Sequence, residues 1–254
     1  MNLKAALKYQ LHESKKAVLI YYLQVVMVFL LIVALLYLIP DKITISGNVN
    51  GLEVASMIFI FIAGLNSFRE AFCLFIQNSI SRRTMFVSRM ISAAIISTAM
   101  ACIDRILMFI GRLLQPLNQS FSIKSLFQMI YQNKAGYKTG SLLFIFTQLI
   151  FTVCLYFAVW MLGYFITVSF YRLNKYGKIV VSVGVPVSLF IVMPILDGLV
   201  FNEAIGLFFG KVLSFAFGFS NKANPLIGMI TLLLISAILA AFVRLMTRMV
   251  SVKD

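Results

Sequence analysis

The chain has 254 residues, of which 61% are hydrophobic and only 12% are charged. Soluble domains carry about 25% charged residues, so this composition excludes an ordinary soluble protein. Apolar runs of about 20 residues recur along the chain, and each is long enough to cross ~30 Å of hydrocarbon as a helix. Continuously apolar runs select helices, because membrane β-strands alternate in polarity over ~10 residues. We therefore predict one all-α transmembrane domain, residues 1–254, in a lipid bilayer.

The formal net charge is +14, a value also found in nucleic-acid-binding proteins. Here the basic residues stand at the ends of apolar runs, which is the pattern of membrane topology, so no nucleic-acid partner is predicted. The three cysteines, Cys73, Cys102 and Cys154, lie in or beside apolar runs without CxxC spacing. We predict neither a disulfide framework nor a zinc site from them.

The predicted elements begin with a basic segment, residues 1–16, in which Leu3, Leu7 and Leu11 recur every four residues. A narrow apolar stripe among lysines predicts an interfacial helix that lies on the membrane with its apolar side down. Six transmembrane helices are predicted to follow, at about residues 17–39, 52–76, 85–114, 141–170, 179–200 and 225–246.

The second of these helices has an apolar core, residues 52–65, that is too short to cross the membrane alone. Its continuation places Phe68, Phe72 and Phe75 on one helical face, which predicts a single helix to residue 76. Beyond the third helix, an amphipathic pattern that includes Leu126, Phe127 and Tyr131 predicts a short helix resting on the outer leaflet.

The third and fifth apolar runs contain acidic residues. The third run holds the neighbours Asp104 and Arg105, whose side chains point about 100° apart on a helix and do not face each other squarely. Such residues lie near the outer interface or face the bundle interior, and we favour structural pairing over contact with a substrate. Asp197, in the fifth run with Pro186 and Pro194, is predicted to end a helix on the outer side.

Lys and Arg are twice as frequent in one alternate set of loops as in the other. The positive-inside rule then places both termini in the cytoplasm. The richer segments are residues 1–16, 69–89, 172–178 and 244–253.

The chain contains no GxxxxGK[ST], HExxH or GxSxG motif, and it has a single histidine. We therefore predict that it is not an enzyme and holds no cofactor or metal of its own. Ion-coupled transport normally uses several intramembrane carboxylates, and only Asp104 and Asp197 qualify here. If the protein moves a substrate, the energy is expected to come from elsewhere.

A polar corner separates the second and third apolar runs. Because arginine is costly inside hydrocarbon, the corner must lie outside the bilayer. It is either a topology-setting loop or a surface that docks a soluble partner. The corner consists of Gln77, Asn78, Ser79, Ile80, Ser81, Arg82, Arg83, Thr84, Met85 and Phe86.

Residues 78–86, Asn-Ser-Ile-Ser-Arg-Arg-Thr-Met-Phe, resemble the signature Asn-Gly-(Ile/Val)-Ser-Arg-(Lys/Arg)-x-x-Phe of type-2 export permeases of the ABC transporter superfamily. Ser79 stands where glycine is common in that signature. The order of elements also resembles that family, which has the type V exporter fold. The resemblance implies that residues 77–86 form a coupling helix that docks an ABC ATPase subunit, which would hold ATP and Mg²⁺.

The resemblance further implies that a second permease, identical or homologous, completes the pathway. The interrupted apolar segment 201–224 is expected to form a pair of re-entrant or external helices that cap this pathway. Its gate residues would be Glu203, Phe208, Phe209 and Lys211.

The sequence therefore predicts a multi-pass permease of a bacterial ABC exporter in the plasma membrane, with an amphipathic or hydrophobic cargo such as a peptide or antibiotic. Two alternatives stay open: a non-transporting scaffold, sensor or immunity protein, and an ion-coupled secondary transporter. Cargo identity, transport direction and homo- or heterodimeric pairing are not determined by one sequence.

Overall fold

The computed structural model describes residues 3–38, 52–114, 124–131, 141–199, 203–219 and 224–248. All regular secondary structure in these ranges is helical. The helices are α1 (Leu3–Leu38), α2 (Leu52–Asn66), α3 (Arg69–Gln77), α4 (Arg82–Leu114), α5 (Leu126–Tyr131), α6 (Leu142–Arg172), α7 (Lys175–Val187), a π-helical turn (Ser188–Val192), α8 (Met193–Leu199), α9 (Ala204–Ala216) and α10 (Pro225–Arg248). Predictions that fall on residues 1–2, 39–51, 115–123, 132–140, 200–202, 220–223 and 249–254 lie outside the described residues.

Six segments of the described chain are long and apolar enough to cross a membrane, as the sequence predicts. The protein therefore has the architecture of a multi-pass helical membrane protein. The six spans are Leu3–Leu31, Leu52–Gln77, Arg82–Leu113, Leu142–Arg172, Lys175–Leu199 and Pro225–Arg248.

The prediction of a separate N-terminal interfacial helix is wrong, because α1 runs without a break from Leu3 to Leu38. No glycine or proline interrupts this stretch, so nothing in its sequence ends the helix near residue 16. Ala6 and Gln10 are buried, and Gln10 Oε1 accepts a hydrogen bond from Ser92 Oγ in α4. The first turns therefore pack on protein rather than lying on headgroups.

The second helix, predicted over residues 52–76, is present as the single span Leu52–Gln77, but it is not continuous. The helix stops at Asn66 and restarts at Arg69. Ser67 causes the interruption locally, because its hydroxyl and its N–H both donate to the carbonyl of Gly64. Serine that bonds the preceding turn in this way competes with the regular helical ladder. The resulting short helix, α3, buries Phe72 and Phe75 against the bundle.

The bundle is built around the contact of α2 with α6. Gly64 and Gly163 face each other there, and a Cβ on Gly163 would lie 2.5 Å from Phe61 O. Small residues at a membrane-helix crossing let the two backbones approach closely. The large side chains of Trp160 and Tyr164 fill the space beside the crossing and are fully buried.

The short helix predicted after the third span is present as α5, and one of its faces is buried in the bundle. Phe127 and Tyr131 are 0% exposed and pack with Phe144 and Phe151 of α6. The Tyr131 hydroxyl donates to Phe217 O at 2.9 Å. Because burial raises the pKa of Tyr131 to about 12, the hydroxyl keeps its proton and stays a donor. Thus α5 ties the end of α9 to the bundle.

The fifth span differs from the others, since none of its residues is buried. Its π-helical turn lies between Pro186 and Pro194, where the missing proline N–H disrupts the α-helical ladder. Between this span and α10, the described residues contain one short helix, α9. The expected pair of helices is therefore not found in the described part of residues 201–224.

Candidate functional site

The corner leaves α3 through a Schellman turn. The N–H of Ile80 donates to Phe75 O at 2.8 Å, and the N–H of Ser79 donates to Ile76 O at 2.9 Å. These are the two hydrogen bonds that define the motif, with Ser79 at its left-handed position. Ser79 accordingly has φ of 54°. Glycine adopts this conformation without a steric cost, so position 79 has a backbone geometry that favours glycine.

The next helix, α4, begins with a side-chain cap. Ser81 Oγ accepts a hydrogen bond from the backbone N–H of Thr84 at 3.2 Å, and the two hydroxyls lie 2.7 Å apart. This satisfies an N–H that the helix itself leaves without a partner. The corner is therefore fixed at both ends by local hydrogen bonds rather than being an irregular loop.

A basic cleft of about 410 Å³ opens beside the corner. Arg82 forms part of its wall and donates from Nη1 to Arg248 O at 2.6 Å and Thr247 O at 3.3 Å. A cation placed at the last carbonyls of a helix also complements the helix dipole. Arg82 thus ties the start of α4 to the end of α10, whereas no such bond holds Arg83 in the described residues. The cleft is lined by Arg82, Arg83, Phe86, Arg244, Thr247 and Arg248.

The predicted corner residues do not all reach the surface. Thr84 is buried at 1% exposure and Ile80 is partly buried against the core. Met85 is also buried, and Phe86 is partly buried. The exposed corner residues are Gln77, Asn78, Ser79, Ser81, Arg82 and Arg83. The exposed set forms a polar face suited to a soluble partner.

Replacing Ser79 by glycine tests the turn geometry. We expect Ser79→Gly to stabilise the folded protein by up to about 1 kcal/mol, because glycine adopts positive φ without a steric cost. Ser81→Gly is the matched control and should lower stability by a few tenths of a kcal/mol through loss of the cap. Denaturant unfolding in detergent micelles measures both. Shifts of the same sign would contradict the assigned turn.

A second polar site lies deep in the bundle, about 33 Å along α4 from the corner. Asp104 is 1% exposed and accepts a hydrogen bond from Tyr22 Oη at 2.8 Å. Tyr156 Oη donates to the other carboxylate oxygen. The carboxylate therefore faces the interior, and its partners come from α1 and α6 rather than from Arg105.

Arg105 pairs with a residue that the sequence did not single out. Its Nη2 donates to Glu53 Oε1 at 3.3 Å and to Thr152 Oγ1 at 3.4 Å. Glu53 is 1% exposed, and its second oxygen accepts from the backbone N–H of Leu126 in α5. The expected structural pairing of Arg105 is correct in kind, but Glu53 is its partner. We call Glu53, Asp104 and Arg105 the buried charge cluster.

The external residues fall into two groups. Asp197 caps α9, since its carboxylate accepts from the N–H groups of Ile205 at 2.8 Å and Gly206 at 2.7 Å. This agrees with the predicted helix-end position, and Asp197 therefore does not belong to the buried charge cluster.

Glu203 stands just before α9 with φ of 65°. Phe208, Phe209 and Lys211 lie on α9 and are exposed, and no described residue brings them to the cluster.

Comparison with protein-family models, curated proteins and solved structures finds no match to this chain. Its assignment therefore rests on its own residues. The corner presents exposed cations on a fixed turn, which suits binding to a soluble partner. The buried charge cluster joins α1, α2, α4, α5 and α6, and it suits a structural or gating role.

The environment of Arg89 was also predicted wrongly from the sequence. Its position in the basic segment 69–89 suggested a role in topology, but it lies inside α4 and is 1% exposed. A signal was present, because Arg89 stands three residues beyond the corner, inside the predicted third helix and next to the apolar residue Met90.

Proposed function

We propose that this protein is the membrane-spanning permease subunit of a bacterial ABC exporter in the plasma membrane, driven by a separate ATPase subunit that docks on the corner. The observation that supports this most is the fixed, exposed turn between α3 and α4. A partner that pulls on this turn acts on two helices at once. One leads through α2 to Glu53, and the other leads to Asp104 and Arg105.

The partner supplies the chemistry in this proposal. The ATPase subunit binds ATP and Mg²⁺, and closure of two such subunits moves the corner. The motion then passes along α4 and the α2–α3 pair to the buried charge cluster at the opposite end. This requires the corner and both termini to face the cytoplasm, as the charge distribution predicts.

A second permease, identical or homologous, completes the pathway. The fifth span supports this, because all its residues remain accessible in a single copy. Membrane spans normally bury a packing face against other helices. In the assembled transporter α9, with Glu203, Phe208, Phe209 and Lys211, caps the external side. The exposed apolar surface of the fifth span and α9 fits an amphipathic or hydrophobic cargo, such as a peptide or antibiotic.

Arg83→Glu tests docking at the corner. Arg83 is the better choice than Arg82, whose substitution also removes the cap on α10. We expect Arg83→Glu to reduce co-purification of the ATPase encoded beside this chain by about tenfold or more, because the charge reversal repels an acidic partner surface. The unfolding midpoint of the permease should stay unchanged.

Lys175→Glu is the matched control, since Lys175 is an exposed cation in the other basic loop. It should leave ATPase co-purification intact. If the ATPase fails to co-purify with the unsubstituted chain, or Arg83→Glu leaves the association unchanged, the corner is not the docking site. Absence of any ATPase would favour a scaffold, sensor or immunity protein.

The buried charge cluster favours a second candidate, an ion-coupled secondary transporter. Intramembrane carboxylates next to an arginine are common in ion pathways, and the cluster has two such carboxylates. In that case transport would collapse when an ionophore removes the ion gradient. Transport by an ABC exporter would instead persist with ionophore and stop when ATP is depleted.

A further inference from the structure

A cavity separate from both candidate sites lies between α1, α2, α4 and α6. Its volume is about 170 Å³, more than a single inorganic ion needs. Its polar lining includes Glu13 of α1, Ser67 after α2, Arg89 of α4 and Trp160 of α6. Arg89 is seven residues into α4, about 10 Å from the corner. This places the cavity near the level of lipid headgroups rather than mid-membrane.

Two buried donors that line the cavity have no partner. Arg89 and Trp160 are each 1% exposed, and neither Arg89 Nη2 nor Trp160 Nε1 finds an acceptor among the described residues. Buried polar groups are nearly always hydrogen-bonded, so two orphan donors at one cavity call for an acceptor from outside the chain. A guanidinium beside an indole N–H suits the oxygens of a phosphate.

An acceptor also lines the cavity without a partner. Glu13 Oε2 is buried and has no hydrogen bond within the described chain. Glu13 and Arg89 form no direct ion pair there, although both border the same space. An anion alone would leave the Glu13 carboxylate repelled and unsatisfied. A ligand with both an anionic and a cationic donor group would satisfy all three side chains.

Apart from Ser14 and Asn66, the remaining lining is apolar and reaches the surface of the bundle. Val18 of α1 and Phe59 and Ile62 of α2 line the cavity, and Ile62 is 48% exposed. The ring of Tyr21 in α1 stacks on Phe59 in α2, with 4.4 Å between the ring centroids. The apolar side chains of Val18, Phe59 and Ile62 offer the acyl part of an amphiphile a surface at the cavity.

We propose that this cavity binds the headgroup of a phospholipid that carries a phosphate and a primary amine, the phosphoethanolamine class. The phosphate accepts hydrogen bonds from Arg89 and Trp160, and the ammonium donates to Glu13. The acyl chains lie along Val18, Phe59 and Ile62. This inference does not depend on the ABC exporter assignment, because it uses only residues of the Arg89 cavity.

Lipid-exchanged protein in detergent provides the test. Native mass spectrometry and thermal unfolding are followed with short-chain phosphatidylethanolamine, phosphatidylcholine, phosphatidylglycerol and inorganic phosphate. We expect phosphatidylethanolamine to bind about tenfold more tightly than the other two lipids, the size of one charge-assisted hydrogen bond. Trimethylated choline cannot donate to Glu13, and glycerol has no cation. Inorganic phosphate should bind weakly.

Glu13→Gln separates the ammonium from the phosphate contact. It should abolish the preference for phosphatidylethanolamine over phosphatidylcholine while lipid binding through Arg89 persists. Arg89→Gln should abolish binding of all three lipids. Glu203→Gln, at an exposed carboxylate just before α9, is the matched control and should leave the preference unchanged.

Four results overturn the proposal: equal binding of the three lipids, no lipid binding at all, an unchanged preference in Glu13→Gln, or inorganic phosphate binding as tightly as phosphatidylethanolamine. The last result would assign the cavity to a free anion. If Arg89→Gln fails to fold, the Glu13→Gln comparison alone decides.

Discussion

Glu53→Gln is expected to destabilise the folded protein by about 3–5 kcal/mol, the cost of leaving one partner of a buried ion pair uncompensated. Glu53 is 1% exposed and provides the direct counter-charge to Arg105 in the described chain. The amide oxygen can keep the hydrogen bond from Leu126 N–H, but the NH2 group then faces Arg105, so the substitution removes both the charge and the acceptor for Arg105. Arg105 would then remain buried with only the more distant carboxylate of Asp104 to balance it.

Fluorescence of Trp160, the single tryptophan, reports unfolding in a denaturant titration in mixed micelles. Glu53→Gln with Arg105→Gln should cost less than Glu53→Gln alone, because Arg105 is then no longer left without its direct counter-charge. Glu70→Gln on exposed α3 is the matched control and should shift stability by less than about 0.5 kcal/mol. If Glu53→Gln costs no more than Glu70→Gln, the pair does not stabilise the bundle.

The spans were predictable because hydropathy alone determines them. Each run needed only its own composition, and the ends of α4 and α10 fall within a few residues of the predicted bounds. The positions at which helices begin, end or are interrupted were harder to predict. The sequence predicted a stop before α4 from polar residues, but it gave no clear sign that Ser67 would interrupt the second span or that α1 would continue from Leu3.

The corner was located from sequence, but its contacts were not. Arg82 reaches carbonyls that lie 165 and 166 positions away, and no local pattern indicates that α10 ends beside α4. Ser79 is different. A local hydrogen-bond motif determines its conformation. The sequence showed that serine stands in place of glycine at this position, but it did not show that the residue has a positive φ.

The buried pairs escaped sequence analysis because they depend on which helical faces meet. Glu53 and Arg105 are 52 positions apart. Arg89 shares its cavity with Glu13 and Trp160, which come from two other helices. In a chain where most residues are apolar, hydropathy does not distinguish a face that meets lipid from one that meets a neighbouring helix.

Gly163→Ala is expected to destabilise the protein by about 3 kcal/mol, at the upper end of the cost of overpacking. The added methyl group would lie 2.5 Å from Phe61 O and 3.1 Å from Leu65 N. Both are backbone atoms of α2, so no side-chain rotation relieves the clash. The two helices would have to separate. A Cβ added at Gly64 would likewise lie 2.6 Å from Trp160 O, so the two backbones are in close contact at both glycines.

Gly184→Ala is the matched control, because a Cβ at Gly184 in α7 meets nothing within 4 Å. The higher helix propensity of alanine should leave stability unchanged or raise it by up to about 1 kcal/mol. Helical circular dichroism during denaturant titration compares the two variants without relying on Trp160, which lies next to the clash. Opposite shifts would locate the loss at the α2–α6 crossing. Equal shifts would mean that the backbones of α2 and α6 are not in close contact at Gly64 and Gly163. The proposed path from the corner through α2 to Glu53 would then lack its rigid support.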